Sequence, residues 1–135
     1  MTQEDKELLV KDLSGRLTHG VKGLALGGKV DTINVFVPSE FPWVKTTTGL
    51  VCHLGSGQFK PYLRPMSSMT MEEKIELCTR AYAPDETKTI DEKLHVIKIN
   101  AKNATDFYNE HHLDFRGLIE KGLAIAVTEE NNPYN

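Results

Sequence analysis

The stretch TINVFV, at residues 32–37, decides the predicted fold class. Its apolar residues Ile33, Val35 and Val37 alternate with the period of two that is typical of a β-strand with one buried face. Glycines and prolines separate this stretch from similar runs rich in Val, Ile and Leu, namely VKGLAL (21–26) and GLVCHL (49–54). Such runs joined by turn residues predict a β-rich part over residues 19–66.

An amphipathic helix is predicted ahead of the β-rich part, over residues 1–18. Leu9, Leu13 and Leu17 recur every four residues and so form one apolar helical stripe. Thr2 is a suitable N-cap, because its hydroxyl can accept a hydrogen bond from an amide of the first turn. The segment is acidic and amphipathic, which is not typical of a secretory signal or an Arg-rich transit peptide.

A second helix is predicted within MTMEEKIELCTRAYA, at residues 69–83. Thr70 and Glu73 have the spacing of a capping box, in which each side chain binds the backbone amide of the other. The predicted inward stripe consists of Met71, Ile75, Cys78 and Tyr82.

The remaining chain predicts three further elements and a polar tail. LHVIKIN (94–100) is typical of a strand, FYNEHH (107–112) ends a third helix that begins at Asn103 or Thr105, and LAIAV (123–127) is typical of a last buried strand. We therefore predict an α+β fold in a single domain, 1–135, with an N-terminal helix, a small twisted antiparallel sheet or partly open barrel, and two further helices. Its parts are the helix at 1–18, the β-rich part at 19–66, and a helix–strand–helix–strand part with a polar tail at 67–135.

The composition is that of an ordinary globular protein. The chain has 135 residues, 39% hydrophobic and 26% charged, with a net charge of −3. It has no apolar run of the roughly 20 residues that a membrane helix needs. Cys52 and Cys78 have no CxxC spacing, which favours reduced thiols and a cytoplasmic location. No phosphate-binding or dinucleotide-binding glycine motif occurs, so we expect no cofactor.

Two segments carry a resemblance to a known family. KPYLRPMSSMT (60–70) and NEHHLDFRGLI (109–119) resemble a family of short uncharacterised proteins common in gut anaerobes and their prophages. The resemblance spans most of the chain, and the stretch at 31–56 is less typical of the family. It implies a prophage or mobile-element accessory role, and it carries no catalytic or binding residue over to this chain.

NEHHLDFRGLI also contains the one candidate metal site. Glu110, His111, His112 and Asp114 include carboxylate and imidazole ligands, which suit a metal-dependent hydrolase. Adjacent helical side chains diverge by about 100°, however, and an HExxH pattern is absent. The favoured interpretation is structural: the histidines lie near a helix end, where cations interact well with the helix dipole, and Arg116 pairs with Asp114.

Two surface segments are candidate binding sites. PSEFPWVKTTTG (38–49) sets the single tryptophan, Trp43, beside Lys45, and its aromatic side chains either fold onto the sheet or anchor a partner. KPYLRP (60–65) spaces Lys60 and Arg64 around Tyr62, and it either binds phosphate or simply connects a strand to a helix.

Charge is distributed unevenly along the chain. Residues 15–66 carry six basic and two acidic residues, although the whole chain is acidic. This basic segment makes a nucleic-acid-binding module one alternative, with the cations neutralising phosphates while a ring stacks on a base. The favoured function is a non-enzymatic module that binds an unknown protein partner, because a net negative chain attracts nucleic acid poorly at long range. The metal-dependent hydrolase is the other alternative.

Overall fold

The computed structural model describes residues 1–81 and 101–134. These residues contain three α-helices and six strands. The helices are α1 (Gln3–Arg16), α2 (Met71–Ala81) and α3 (Ala101–Glu110). The strands are β1 (Lys22–Leu24), β2 (Val30–Val37), β3 (Trp43–Thr46), β4 (Val51–His53), β5 (Lys60–Leu63) and β6 (Ile125–Ala126). Short 3-10 turns follow α1, β4 and β5, at Leu17–His19, Leu54–Ser56 and Met66–Ser68.

Helix α1 begins and ends as its sequence predicts. The hydroxyl of Thr2 accepts a hydrogen bond from the Asp5 amide at 3.0 Å, which caps the N-terminus. After a 3-10 turn, Gly20 takes a left-handed conformation with φ of 68° and closes the segment. Leu9 and Leu13 are fully buried in the main hydrophobic core, which α1 shares with the inner side of the sheet.

The sheet is mixed and open, with the strand order β4-β3-β2-β1-β5-β6. The first four neighbouring pairs are antiparallel, and β5 pairs with β6 in parallel. The predicted α+β class with an N-terminal helix is therefore confirmed. The sheet differs from the prediction in its parallel last pair, and it does not close into a barrel.

A β-bulge in β2 overturns the predicted burial of TINVFV. Ile33 pairs with Thr46 but Val35 pairs with Lys45, so Asn34 is an extra residue with no partner of its own. The alternation of faces restarts after Asn34. Ile33 is consequently buried, whereas Val35 is 40% exposed and Val37 is only partly buried.

The inward face of α2 also differs from the predicted stripe. Met71 and Ile75 are exposed, and the buried residues are Leu77, Cys78 and Ala81. Leu77 and Ala81 pack against α3 in a second hydrophobic cluster. Of the remaining predictions, Tyr82 and the strand at 94–100 lie outside the described residues. Helix α3 ends at Glu110, two residues before its predicted last residue, His112.

Candidate protein-interaction surface

Six side chains of β2, β3 and β4 form a regular grid on the side of the sheet that faces away from α1. Residues that pair across antiparallel strands have their side chains on the same face, as do residues two apart on one strand. One row of the grid is therefore Val37–Trp43–His53, and the next is Val35–Lys45–Val51. We call these six residues the outer face.

The outer face is apolar and open to solvent. Val35 is 40% and Val51 is 46% exposed, and Trp43 and Val37 are partly buried. The opposite side of the same strands is closed, because Val44 and Cys52 are fully buried in the main core. Exposed apolar residues scattered singly are ordinary, but a contiguous group of them on one sheet is typical of an interaction site.

The free edge of β4 is partly blocked by Gln58. The side-chain oxygen of Gln58 accepts a hydrogen bond from the backbone amide of His53 at 2.8 Å. The backbone amide of Gln58 donates to the His53 carbonyl at 3.2 Å. Both backbone groups of His53 point away from β3, where an added strand would bind. A partner therefore has better access to the outer face than to the strand edge.

A groove adjoins the outer face at His53. It encloses about 280 Å³ and is lined in part by Phe41, Lys6, His53 and the first residues of α1. Phe41 is 74% exposed, so it does not fold down onto the sheet. Its ring is the most exposed aromatic side chain among residues 1–81 and 101–134.

The other three predicted binding residues do not form one site with Trp43 and Lys45. Lys60 is exposed on the same side of the sheet, opposite Leu24, but two strands lie between its strand and that of Lys45, so the two strands are about 14 Å apart across the sheet. Tyr62 is buried, at 8% exposed, and has no ring surface to offer a base.

Arg64 is occupied by an internal ion pair. Its guanidinium binds both carboxylate oxygens of Glu73, at 2.6 and 2.7 Å, and also donates to the Ser68 carbonyl. This pairing lowers the pKa of Glu73 to about 2 and raises that of Arg64. Residues 60–63 of KPYLRP form β5 itself, and Arg64 and Pro65 lead from this strand towards α2.

The four residues of the alternative metal site are directed to separate partners. Glu110 forms two hydrogen bonds with Arg80, at 2.9 and 3.1 Å, which lower its pKa. His111 lies 3.1 Å from the Glu73 carboxylate. Within the described ranges 1–81 and 101–134, no group of three or more His, Cys, Asp or Glu side chains is arranged to hold a metal ion.

The other two residues of the alternative metal site, His112 and Asp114, make a ring contact and backbone hydrogen bonds. His112 follows the end of α3 in a left-handed conformation, with φ of 58°, and its ring stacks on Tyr134. Asp114 accepts hydrogen bonds from the amides of Leu118 and Ile119, at 2.8 and 3.0 Å. The predicted pair of Arg116 with Asp114 is wrong, because Arg116 binds Asp12 at 2.9 Å instead.

Sequence reasoning missed most of the outer face. The alternation in TINVFV predicts that Val35 and Val37 are buried. The run GLVCHL, which contains Val51 and His53, predicts a strand but not which of its side chains are exposed. Hydrophobic alternation assigns residues to two faces, but it does not say which strand contains a bulge. Asn34, a poor strand former in the middle of β2, is the one local signal of the irregularity.

Comparison with known proteins adds no relative: no family model, curated protein or solved structure matches the chain. No helix in residues 1–81 or 101–134 combines the length and apolar character that crossing a membrane requires.

Proposed function

We propose that this protein is a non-enzymatic interaction module that binds a protein partner through the outer face and Phe41. The observation that carries the proposal is the exposure of Val35 and Val51 on either side of Lys45. Burying such side chains against a partner is favourable by roughly 25 cal/mol per Å² of apolar area. Trp43 in the adjacent row and the exposed Phe41 are residue types that commonly anchor interfaces.

The proposed setting is a cytoplasmic, prophage or mobile-element one. The resemblance of KPYLRPMSSMT and NEHHLDFRGLI to proteins of gut anaerobes and their prophages supports this setting. An interaction module in this setting needs no cofactor and no catalytic residue.

A nucleic-acid-binding module is the second candidate, because Lys45 is exposed beside Trp43 and Lys60 lies on the same side of the sheet. It has less support than a protein partner for two reasons. Tyr62 is buried and Arg64 is paired with Glu73, and valines rather than exposed rings dominate the outer face. Single-stranded nucleic acid is held mainly by stacking and by several cations on one path.

Affinity capture with matched valine variants tests the proposal. We would immobilise the full chain and a Val35→Ser/Val51→Ser variant, and quantify captured proteins from a gut anaerobe after prophage induction. The matched control is Val30→Ser, an equally exposed valine on β2 that lies outside the outer face. One half of every lysate would be treated with nuclease, and the other half would be left untreated.

The proposal predicts that the wild type and the Val30→Ser variant capture a protein partner even after nuclease treatment. The Val35→Ser/Val51→Ser variant should fail to capture this protein. Two substituted valines should weaken binding by about 2 kcal/mol, or roughly 30-fold. Capture that is equal for both variants would contradict the use of the outer face. Capture that disappears with nuclease would instead favour the nucleic-acid module, and a salt titration with oligonucleotides would then measure its phosphate contacts.

A further inference from the structure

The outer face carries no acidic side chain. Lys45 and His53 are its only ionisable side chains, and both are exposed. The one acidic residue in strands β2, β3 and β4, which are described in full, is Asp31, and it belongs to the opposite side of the sheet. There Thr47 and Thr48 donate hydrogen bonds to its carboxylate, which helps to hold its pKa well below the usual value. No carboxylate within these strands is available to neutralise Lys45.

Lys45 is placed in the middle of an apolar row. Val35 and Val51 flank it directly across the strands, at the usual strand spacing of about 4.8 Å. Trp43 lies two residues away on the same strand, about 7 Å along it. A negative group that pairs with Lys45 would thus have apolar surface on three sides, where the ion pair is better shielded from water than on an open surface.

We propose that the partner is an acidic amphipathic protein segment, whose apolar side chains pack on Val35, Val51 and Trp43 and whose Asp or Glu pairs with Lys45. This inference rests on the proposed function and adds the chemistry of the partner. Charge complementarity of this kind selects partners and sets their register more than it adds affinity. The apolar contacts provide most of the binding affinity. The pairing of the carboxylate with Lys45 determines which apolar segments bind.

A second copy of the chain fits the outer face less well. In a twofold interface each copy contributes the same patch, so two Lys45 and two His53 side chains would enter one contact without a carboxylate from the grid. Addition of a partner strand at the edge is also disfavoured, because Gln58 already binds the outward backbone groups of His53. A segment lying across the outer face meets neither obstacle.

Peptide selection on charge variants tests the inference. The full chain would be used to select from a displayed library of random peptides, in parallel with Lys45→Glu, with Lys45→Gln and with the valine double variant. Lys60→Glu is the matched control, since Lys60 is exposed on the same side of the sheet but outside the outer face. Circular dichroism would establish that each variant is folded.

The wild type and the Lys60 variant should both enrich peptides that mix apolar residues with Asp or Glu. Lys45→Gln should lose the acidic bias, and Lys45→Glu should enrich Lys or Arg in its place. A synthetic peptide from the wild-type selection should bind Lys45→Glu at least about tenfold more weakly, with a difference that shrinks as salt is added.

Other outcomes separate the two proposals. Apolar peptides without a charge bias that the valine double variant fails to bind would overturn the acidic partner and leave the interaction module standing. Selection that ignores the valine substitutions, or no enrichment at all, would overturn both. A dimer that the valine substitutions dissociate in sedimentation, or an oligonucleotide that competes for Lys45, would assign the outer face to a second copy or to nucleic acid and would also overturn the acidic partner.

Discussion

The imidazole of His112 lies flat on the phenol ring of Tyr134, with ring centroids 3.7 Å apart and an angle of 9° between the planes. The Tyr134 hydroxyl donates to the Tyr62 carbonyl at 2.7 Å and accepts from the Lys22 amide at 3.0 Å. The stack therefore joins the chain after α3 to the C-terminal segment and to two strands of the sheet. Burial lowers the pKa of His112 to about 4 and raises that of Tyr134 to about 12.

The first prediction is that stability falls between about pH 6.5 and pH 4 because of His112. In this range the unfolded chain binds a proton at His112 while the folded protein keeps the ring neutral. The free energy of unfolding should therefore be highest above pH 6.5 and decrease as pH is lowered, by up to about 1.4 kcal/mol per pH unit for one proton. Urea unfolding at a series of pH values measures the slope.

His112→Asn should remove most of that slope. Asparagine tolerates the left-handed conformation that His112 adopts, so the variant changes the titrating group without adding backbone strain. The matched control is His53→Asn, an exposed histidine, which should keep the wild-type slope. An unchanged slope in the His112 variant would show that another group carries the dependence on pH.

The second prediction is that Arg64 contributes to stability and Lys60 does not. Arg64→Gln removes a two-point ion pair and leaves the Glu73 side chain, only 13% exposed, without its main partner. The free energy of unfolding near neutral pH should decrease by about 2 kcal/mol. Lys60→Gln should change it by less than about 0.5 kcal/mol, as is usual for an exposed residue.

Acid titration gives this prediction a second measurement. Because the folded pKa of Glu73 is lowered to about 2, its contribution is present above about pH 4.5 and is lost as pH falls towards 2. Arg64→Gln should reduce that acid dependence. If Lys60→Gln destabilised the protein as much as Arg64→Gln, the ion pair would not be the cause.

The same residues show how far the sequence alone could go. The capping box was predicted, and the structure has both of its bonds: the Glu73 amide donates to the Thr70 hydroxyl at 3.2 Å, and the Thr70 amide to the Glu73 carboxylate at 2.9 Å. Such bonds depend on a spacing of three residues and so are local. The contact of Glu73 with Arg64 crosses from a helix to a strand end, and local patterns do not encode it.

Charge pairs distant in the chain were the least predictable part. Asp12 is fully buried and binds Arg16 at 2.7 Å and Arg116, which is 104 residues away, at 2.9 Å. On sequence spacing Arg116 was assigned to Asp114, its near neighbour. The Asp114 carboxylate instead accepts hydrogen bonds from the backbone amides of Leu118 and Ile119. These amides lie at the start of a turn and would otherwise be unpaired.

The third prediction follows from that buried cluster. Asp12→Ala leaves the guanidinium of Arg16, which is fully buried and donates to the Leu113 carbonyl, without a counter-charge. Removing one member of a buried ion pair costs about 3–5 kcal/mol, so the variant should be strongly destabilised in urea unfolding. Glu7→Ala, an exposed position on the same helix, should stay within about 0.5 kcal/mol of the wild type. Equal losses would mean that α1 itself, and not the cluster, is sensitive.

The fourth prediction concerns the two thiols. Cys52 is fully buried and Cys78 is 8% exposed. Neither thiolate is accessible to a reagent, so both should react with a thiol probe only at the rate of unfolding. Labelling followed by mass spectrometry, with and without urea, measures this for each residue. Rapid labelling of Cys78 in the native protein would contradict the observed inward face of α2.

The last prediction concerns the bulge that adjoins the outer face. Because Asn34 is the one unpaired residue between the pairs Ile33–Thr46 and Val35–Lys45, its deletion would make these two pairs consecutive. Every other side chain of β2 would keep its side of the sheet, with Ile33 inward and Val35 outward. Deletion of Asn34 should therefore change the free energy of unfolding by no more than about 1 kcal/mol, and it should preserve binding at the outer face.

Deletion of Phe36 is the matched control for the bulge. It also shortens β2 by one residue, but it brings Val37 into the inward position opposite Val44 and removes an aromatic ring that packs against the main core. This variant should lose more than about 2 kcal/mol of stability and one apolar residue of the outer face. If deletion of Asn34 were as damaging as deletion of Phe36, the extra residue would be needed for the twist of the strand, and the outer face would depend on the bulge for its shape.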